Sequence, residues 1–150
     1  MSENGIVEDA LRHFQAEKCN CAESVLWALA ESMGMRTEQI PRIATAFGGG
    51  MSGQGEVCGA LAGAAMAMGL RWGRDRGDDA PAKALTYGKV CELYEGFRAE
   101  FGSIRCIDLL GFSLLTPEGT ARANELDLYN NICPAFVRFA AATAERLIEA

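Results

Sequence analysis

Residues 56–71 read EVCGALAGAAMAMGLR, and this stretch decides the fold. Between Glu56 and Arg71 it carries no charge, and Gly59, Ala60, Gly63, Ala64 and Ala67 put small side chains on every side. A helix that is apolar all round belongs in an interior, and small side chains let neighbouring helices come close. The stretch therefore predicts the central helix of a bundle. Its uncharged part, residues 57–70, is 14 residues long, short of the roughly 18–20 that span a bilayer, so no membrane partner is expected.

The pattern stays helical on both sides. Upstream, Ile6, Ala10, Leu11 and Phe14 recur at helical spacing, with Glu8 and Asp9 in the first turn, where the helix dipole favours acids. Asn20 followed by Glu23 reads as a capping box, and the helix it opens runs to Gly34. A shorter helix starts near Pro41 and stops at Phe47, before the loop GGGMSGQG at residues 48–55. Downstream, residues 73–79 are a charged, solvated loop. Pro81 opens a helix bearing Tyr87, Cys91, Tyr94, Phe97 and Phe101, and Gly102 closes it. Ser103 can cap a short helix to Gly111, Thr116-Pro117 begins another, and Pro134 opens the last. No segment alternates as a strand does. The expectation is all-α: one compact multi-helix bundle of six to eight helices in a single domain over residues 1–150.

Composition bounds the function. A chain of 150 residues buries roughly 70% of its unfolded surface and needs no disulfide staples. Its six cysteines fall well below the roughly 8–10% of a disulfide scaffold. A net charge of −6 and a pI near 4.8 argue against nucleic acid, whose phosphates attract surplus Lys and Arg. The polar, acidic N-terminal segment has neither the basic start nor the apolar run of a secretory signal, so a cytoplasmic protein is expected. There thiols stay reduced, and six cysteines ask for a role other than bridging. The single histidine, His13, excludes a site built on two histidines in one chain and reads as a surface residue.

Four cysteines share a setting. Cys21 follows its cap Asn20, Cys58 sits in the first turn after the glycine loop, Cys106 follows Ser103, and Cys133 precedes Pro134 at a cap position. Unpaired amides and the positive dipole end at helix N-termini favour negative charge, so the thiols are expected to have lowered pKa and thiolate character. Arg105 could add positive charge beside Cys106. The spacings of 37, 48 and 27 residues match no zinc finger or ferredoxin run. If the sulfurs meet, a different helix delivers each, as bundles deliver ligands to an internal site. Against this stands burial as small hydrophobes, the commonest fate of free cysteine. Cys91, in register with Tyr87 and Tyr94, reads as packing. Cys19 is a spare ligand, a resolving thiol or neither. In the glycine loop, Gly49, Gly50 and Gly55, with Gly59 beyond it, would let backbone amides approach a thiolate or cofactor next to Cys58. The loop lacks the Lys-Ser/Thr ending of a phosphate loop, and a plain connection is its simplest reading.

These segments carry a resemblance. Residues 20–26 (NCAESVL), residues 47–51 (FGGGM) leading to Gly55 and CGALAG at residues 58–63, residues 101–106 (FGSIRC) and Cys133 resemble the C_GCAxxG_C_C family of redox-active proteins. The resemblance implies four site cysteines, carried onto Cys21, Cys58, Cys106 and Cys133, and a prosthetic group such as an iron–sulfur cluster.

Three expectations follow. In the first, the four cysteines are catalytic or metal-ligating residues of one site holding an iron–sulfur cluster or other thiolate-bound metal. The site would serve electron transfer or redox sensing with a partner oxidoreductase or electron carrier. In the second, they do metal-free thiol–disulfide chemistry. In the third, they pack, and the small-residue helix and the Tyr87–Phe101 face serve a homodimer.

Overall fold

A computed structural model describes residues 5–150; the first four residues of the acidic N-terminal segment lie outside the described residues. Among the described residues the chain is all-helical, without strands. In order it forms α1 (Ile6–Gln15), α2 (Cys21–Ser32), a 3-10 helix (Arg42–Phe47), α3 (Gly48–Met51), α4 (Gly59–Trp72) and α5 (Ala80–Phe101). There follow α6 (Cys106–Leu110), α7 (Pro117–Leu126), α8 (Leu128–Asn131) and α9 (Cys133–Glu149). The nine α segments among the described residues exceed the expected six to eight, because α3 and α8 are single turns too short to show a period. The helix expected from Pro41 is 3-10 rather than α. α3 keeps its character as a loop: Gly49 and Gly50 have φ of 64° and 67°, left-handed rather than helical.

α4 is the central element, packed against α2, α5 and α9. Gly59, Ala60, Leu61, Gly63, Ala64, Ala67 and Met68 are buried along it. The small residues are used within the chain. A Cβ on Gly63 would run into the carbonyl oxygen of Ala22 and come within 3.1 Å of the Ala22 carbonyl carbon and Cα. α2 and α4 are therefore in backbone contact at that point. α2 contributes Val25, Leu26 and Leu29 to the same core, and α9 contributes Val137, Ala140, Ala141 and Ala144. Phe97 and Phe101 of α5 meet Phe136 and Phe139 of α9, with ring centroids 5.0–5.9 Å apart. Among the described residues no helix is long and apolar enough to cross a membrane.

Two side chains depart from expectation. His13 is not on the surface: it is 2% exposed, its ring stacks on Trp27 at 3.9 Å, and Nδ1 lies 3.1 Å from Glu17 Oε2. It shares the inner face of α1 with Asp9, Ala10 and Phe14. Cys91 is exposed rather than packed. The buried stripe of α5 runs through Val90, Leu93, Tyr94, Phe97 and Phe101, which leaves Cys91 beside it; Tyr87 is 64% exposed.

Candidate functional site

The local sequence around each cysteine fixes where its helix begins. Before α2, Asn20 Oδ1 accepts from the Glu23 amide (2.9 Å) and Glu23 Oε1 from the Asn20 amide (2.8 Å), a complete capping box that makes Cys21 the first helical residue. Asn20 Nδ2 also donates to the Thr45 carbonyl (2.9 Å), tying this start to the 3-10 helix. Cys58 is the N-cap of α4, one position earlier than the first turn expected. Cys106 begins α6; Arg105, not Ser103, is the N-cap, and Ser103 Oγ accepts from the Arg105 amide (3.0 Å) and donates to Asp108 (2.8 Å). Cys133 is the first residue of α9 rather than its cap, with Pro134 next, where a missing N–H costs nothing.

Cys58 and Cys106 are joined by backbone. The Cys58 amide donates to the Ile104 carbonyl (2.8 Å) and the Cys106 amide to the Glu56 carbonyl (2.7 Å), closing an antiparallel bridge between Val57 and Arg105. The glycine loop backs this bridge. The Glu56 amide donates to the Gly50 carbonyl (2.9 Å), and a Cβ on Gly50 would lie 2.6 Å from Glu56 N and 2.8 Å from Cys106 Cβ. With φ at 67° as well, that position takes glycine. Gly55 presses on Ile107 in the same way. Of the four glycines expected to face a cofactor, Gly49 and Gly59 line the cysteine cavity, whereas Gly50 and Gly55 support the bridge behind it. A Cβ on Gly59 would collide with Cys21 Sγ.

Cys21, Cys58, Cys106 and Cys133 all line one cavity of ≈ 110 Å³. Its other walls are Phe14, Leu109, Leu110, Leu114, Leu128, Tyr129 and Phe136, with the Asn20 amide and the Tyr129 hydroxyl the non-thiol polar groups among the described side chains. All four thiols are free, and Cys19 and Cys91 do not line the cavity. Among the described residues no three Cys, His, Asp or Glu side chains stand close enough together to hold a single metal ion.

The expected lowering of the thiol pKa values is overturned. Backbone amides do reach the sulfurs: Gly49, Ala22 and Ala60 at Cys21, Ala60 and Leu61 at Cys58. Loss of solvent outweighs them. Burial pushes Cys21 up and Cys58 well up, with the neighbouring Cys21 and Cys106 adding to the latter. Burial first, then Cys21, raises Cys106 to about 11; burial, Cys21 and Cys106 raise Cys133 to about 12. Arg105 does not offset this, since its guanidinium is held by Glu56 (3.7 Å) and Asp108 (4.0 Å). Cys19 is raised by burial and by Glu23 and Glu17.

Residues 19–147 match the family described as "Putative redox-active protein (C_GCAxxG_C_C)". The chain belongs to the C_GCAxxG_C_C family. An uncharacterized protein of Archaeoglobus fulgidus is 36% identical to this family member over 100 residues, covering 62% of this chain and 66% of the relative. The match thus spans just under two thirds of that relative's length. No solved structure matches.

Sequence reading missed the rest of the cavity wall. Asn20 stood out only as a cap, and Tyr129 lies in the single turn α8, where no periodicity marks it.

Proposed function

We propose that Cys21, Cys58, Cys106 and Cys133 of this C_GCAxxG_C_C protein form one redox centre that holds an iron–sulfur cluster. One observation carries this reading: four thiols, each from the start of a different helix, line one apolar cavity. The donor set fits. Four thiols are the ligand complement of such a cluster, and no histidine or carboxylate lines the cavity among the described residues. A cluster of several irons spaces its ligands further apart than a single ion does. That suits four thiols on separate walls, no three of which could hold one ion. When bound, the cluster would supply one-electron transfer to or from a partner oxidoreductase or electron carrier.

The chain's own part is to hold and tune. Apolar walls exclude water, and the amides of Gly49, Ala22, Ala60 and Leu61 give the sulfurs hydrogen bonds that favour the thiolate. Metal binding removes thiol protons outright, so buried thiols with raised pKa values remain competent ligands. The same burial weighs against metal-free thiol–disulfide exchange, which needs an attacking thiolate near neutral pH.

Anaerobic purification or reconstitution with iron and sulfide, followed by an absorption spectrum and metal analysis, tests the reading. Bound iron and sulfide with visible absorption are expected. A colourless protein free of iron and zinc after reconstitution overturns the cluster. Thiol counting before and after mild oxidant would then decide whether a reversible disulfide forms instead.

A further inference from the structure

Among the described residues lining the four-cysteine cavity, Tyr129 is the exposed one, at 39%; the others are buried or half-buried. Its ring lies on Phe14, centroids 4.5 Å apart and planes 16° from parallel. The backbone beneath it is held by its own turn: the Asn130 and Asn131 amides donate to the Asp127 carbonyl (3.1 and 2.9 Å), and Asn131 Nδ2 donates to the Leu126 carbonyl (2.8 Å). α8 is one turn, entered through Asp127 at φ 51° and left through Ile132 at φ −122°, ψ −59°. The hydrogen bonds from Gln15 Nε2 to the Tyr129 carbonyl and to Asn130 Oδ1 are long, at 3.4 and 3.5 Å. The stacked ring is therefore the close contact that joins Tyr129 to α1, beside the two long bonds from Gln15.

We infer that Tyr129 is the gate of the cavity: the ring stacked on Phe14 sets how fast a small solute reaches the thiols of Cys21, Cys58, Cys106 and Cys133. The walls also set which solutes pass. Apart from Asn20, the Tyr129 hydroxyl and the thiols they offer no polar side chain, and no charged one, so a charged molecule would lose most of its hydration without replacement. The gate admits small uncharged thiol-reactive molecules in preference to anions of the same size. The inference borrows from the proposed function only the grouping of the four thiols, and it is measured on metal-free protein. A failed cluster reconstitution leaves it standing.

The test is alkylation of reduced, metal-free protein by iodoacetamide, and in parallel by the anionic iodoacetate, at one fixed alkaline pH. Mass spectrometry reads each cysteine separately. The exposed Cys91 is the internal reference. In the wild type Cys91 labels first, and the preference for iodoacetamide over iodoacetate is larger at the cavity thiols than at Cys91. Tyr129→Ala speeds labelling of the cavity thiols by about two- to tenfold, the span that loss of one stacked aromatic pair accounts for, and leaves Cys91 unchanged. Tyr129→Phe, which keeps the ring, labels at the wild-type rate. Tyr129→Leu keeps apolar bulk without the stacked ring and serves if the alanine variant loses helicity. A helical Ala or Leu variant labelling at the wild-type rate overturns the gate, as does Tyr129→Phe labelling as fast as the ring-deleted variant.

Discussion

Replacing Gly63 by alanine tests the close approach of α2 and α4 that brings Cys21 to Cys58. The new Cβ would meet the Ala22 carbonyl oxygen and lie 3.1 Å from the Ala22 carbonyl carbon and Cα. These are backbone atoms, which cannot swing aside, so the helices must separate. Overpacking of this kind costs about 1–3 kcal/mol. Alanine also returns about 0.5–1 kcal/mol as the better helix former. Gly69, in the same helix, supplies the control, because nothing lies within 4 Å of its added Cβ. Gly69→Ala should therefore stabilise by the propensity alone. The propensity gain is common to both variants, so their difference isolates the steric part, about 1–3 kcal/mol. At roughly 2–4 °C per kcal/mol for a chain of this size, Gly63→Ala should melt several degrees below Gly69→Ala. Thermal and urea denaturation of the metal-free variants, followed by circular dichroism, read the difference. A Gly63→Ala protein as stable as Gly69→Ala, or more so, would refute the close-contact argument.

The start of α2 gives a second expectation: Asn20→Ala removes the capping box and the bond to Thr45, and should cost about 0.5–2 kcal/mol in urea denaturation. A change within error of zero would mean that other contacts position Cys21. pH gives a third. Unfolded thiols ionise near 9.0, whereas folded Cys106 and Cys133 hold their protons to about 11 and about 12. The folded state thus binds more protons above pH 9, and stability falls as pH rises through that window while remaining complete below it. The urea midpoint of reduced, metal-free protein should decline from pH 9 upward; a midpoint flat to pH 11 contradicts the burial of these thiols.

The helical architecture was legible because its signals are local. The uncharged, small-residue run at 57–70 marked the central helix, and Asn20 with Glu23 marked the start of α2 to the residue. Starts without a strong cap were displaced by one to three positions, as at Cys58, Cys106 and Cys133, where tertiary contacts set the boundary. The bridge between Val57 and Arg105 illustrates the reason: it joins residues far apart in sequence through backbone bonds that no side-chain pattern records. The charge state of the thiols was misread for a related reason. Helix-start position is a local property that favours thiolate, but solvent loss in an apolar cavity depends on the whole packing and outweighs it. His13 and Cys91 exchanged their expected places because packing turned each helix from the face its apolar residues suggest: His13 shares the inner face of α1 with Asp9, Ala10 and Phe14, and Cys91 lies beside the buried stripe of α5. Tyr129, on an isolated turn, had no periodic signal at all.

The central claim, that four cysteines serve one redox centre, is tested most directly by substituting each cysteine singly with serine and measuring iron and sulfide per chain after anaerobic reconstitution. Cys21→Ser, Cys58→Ser, Cys106→Ser and Cys133→Ser should each lose most of the bound iron and the visible absorption, while Cys19→Ser and Cys91→Ser keep wild-type loading. Full loading in a folded variant of any of the four, or equal loss in Cys91→Ser, would contradict a common site.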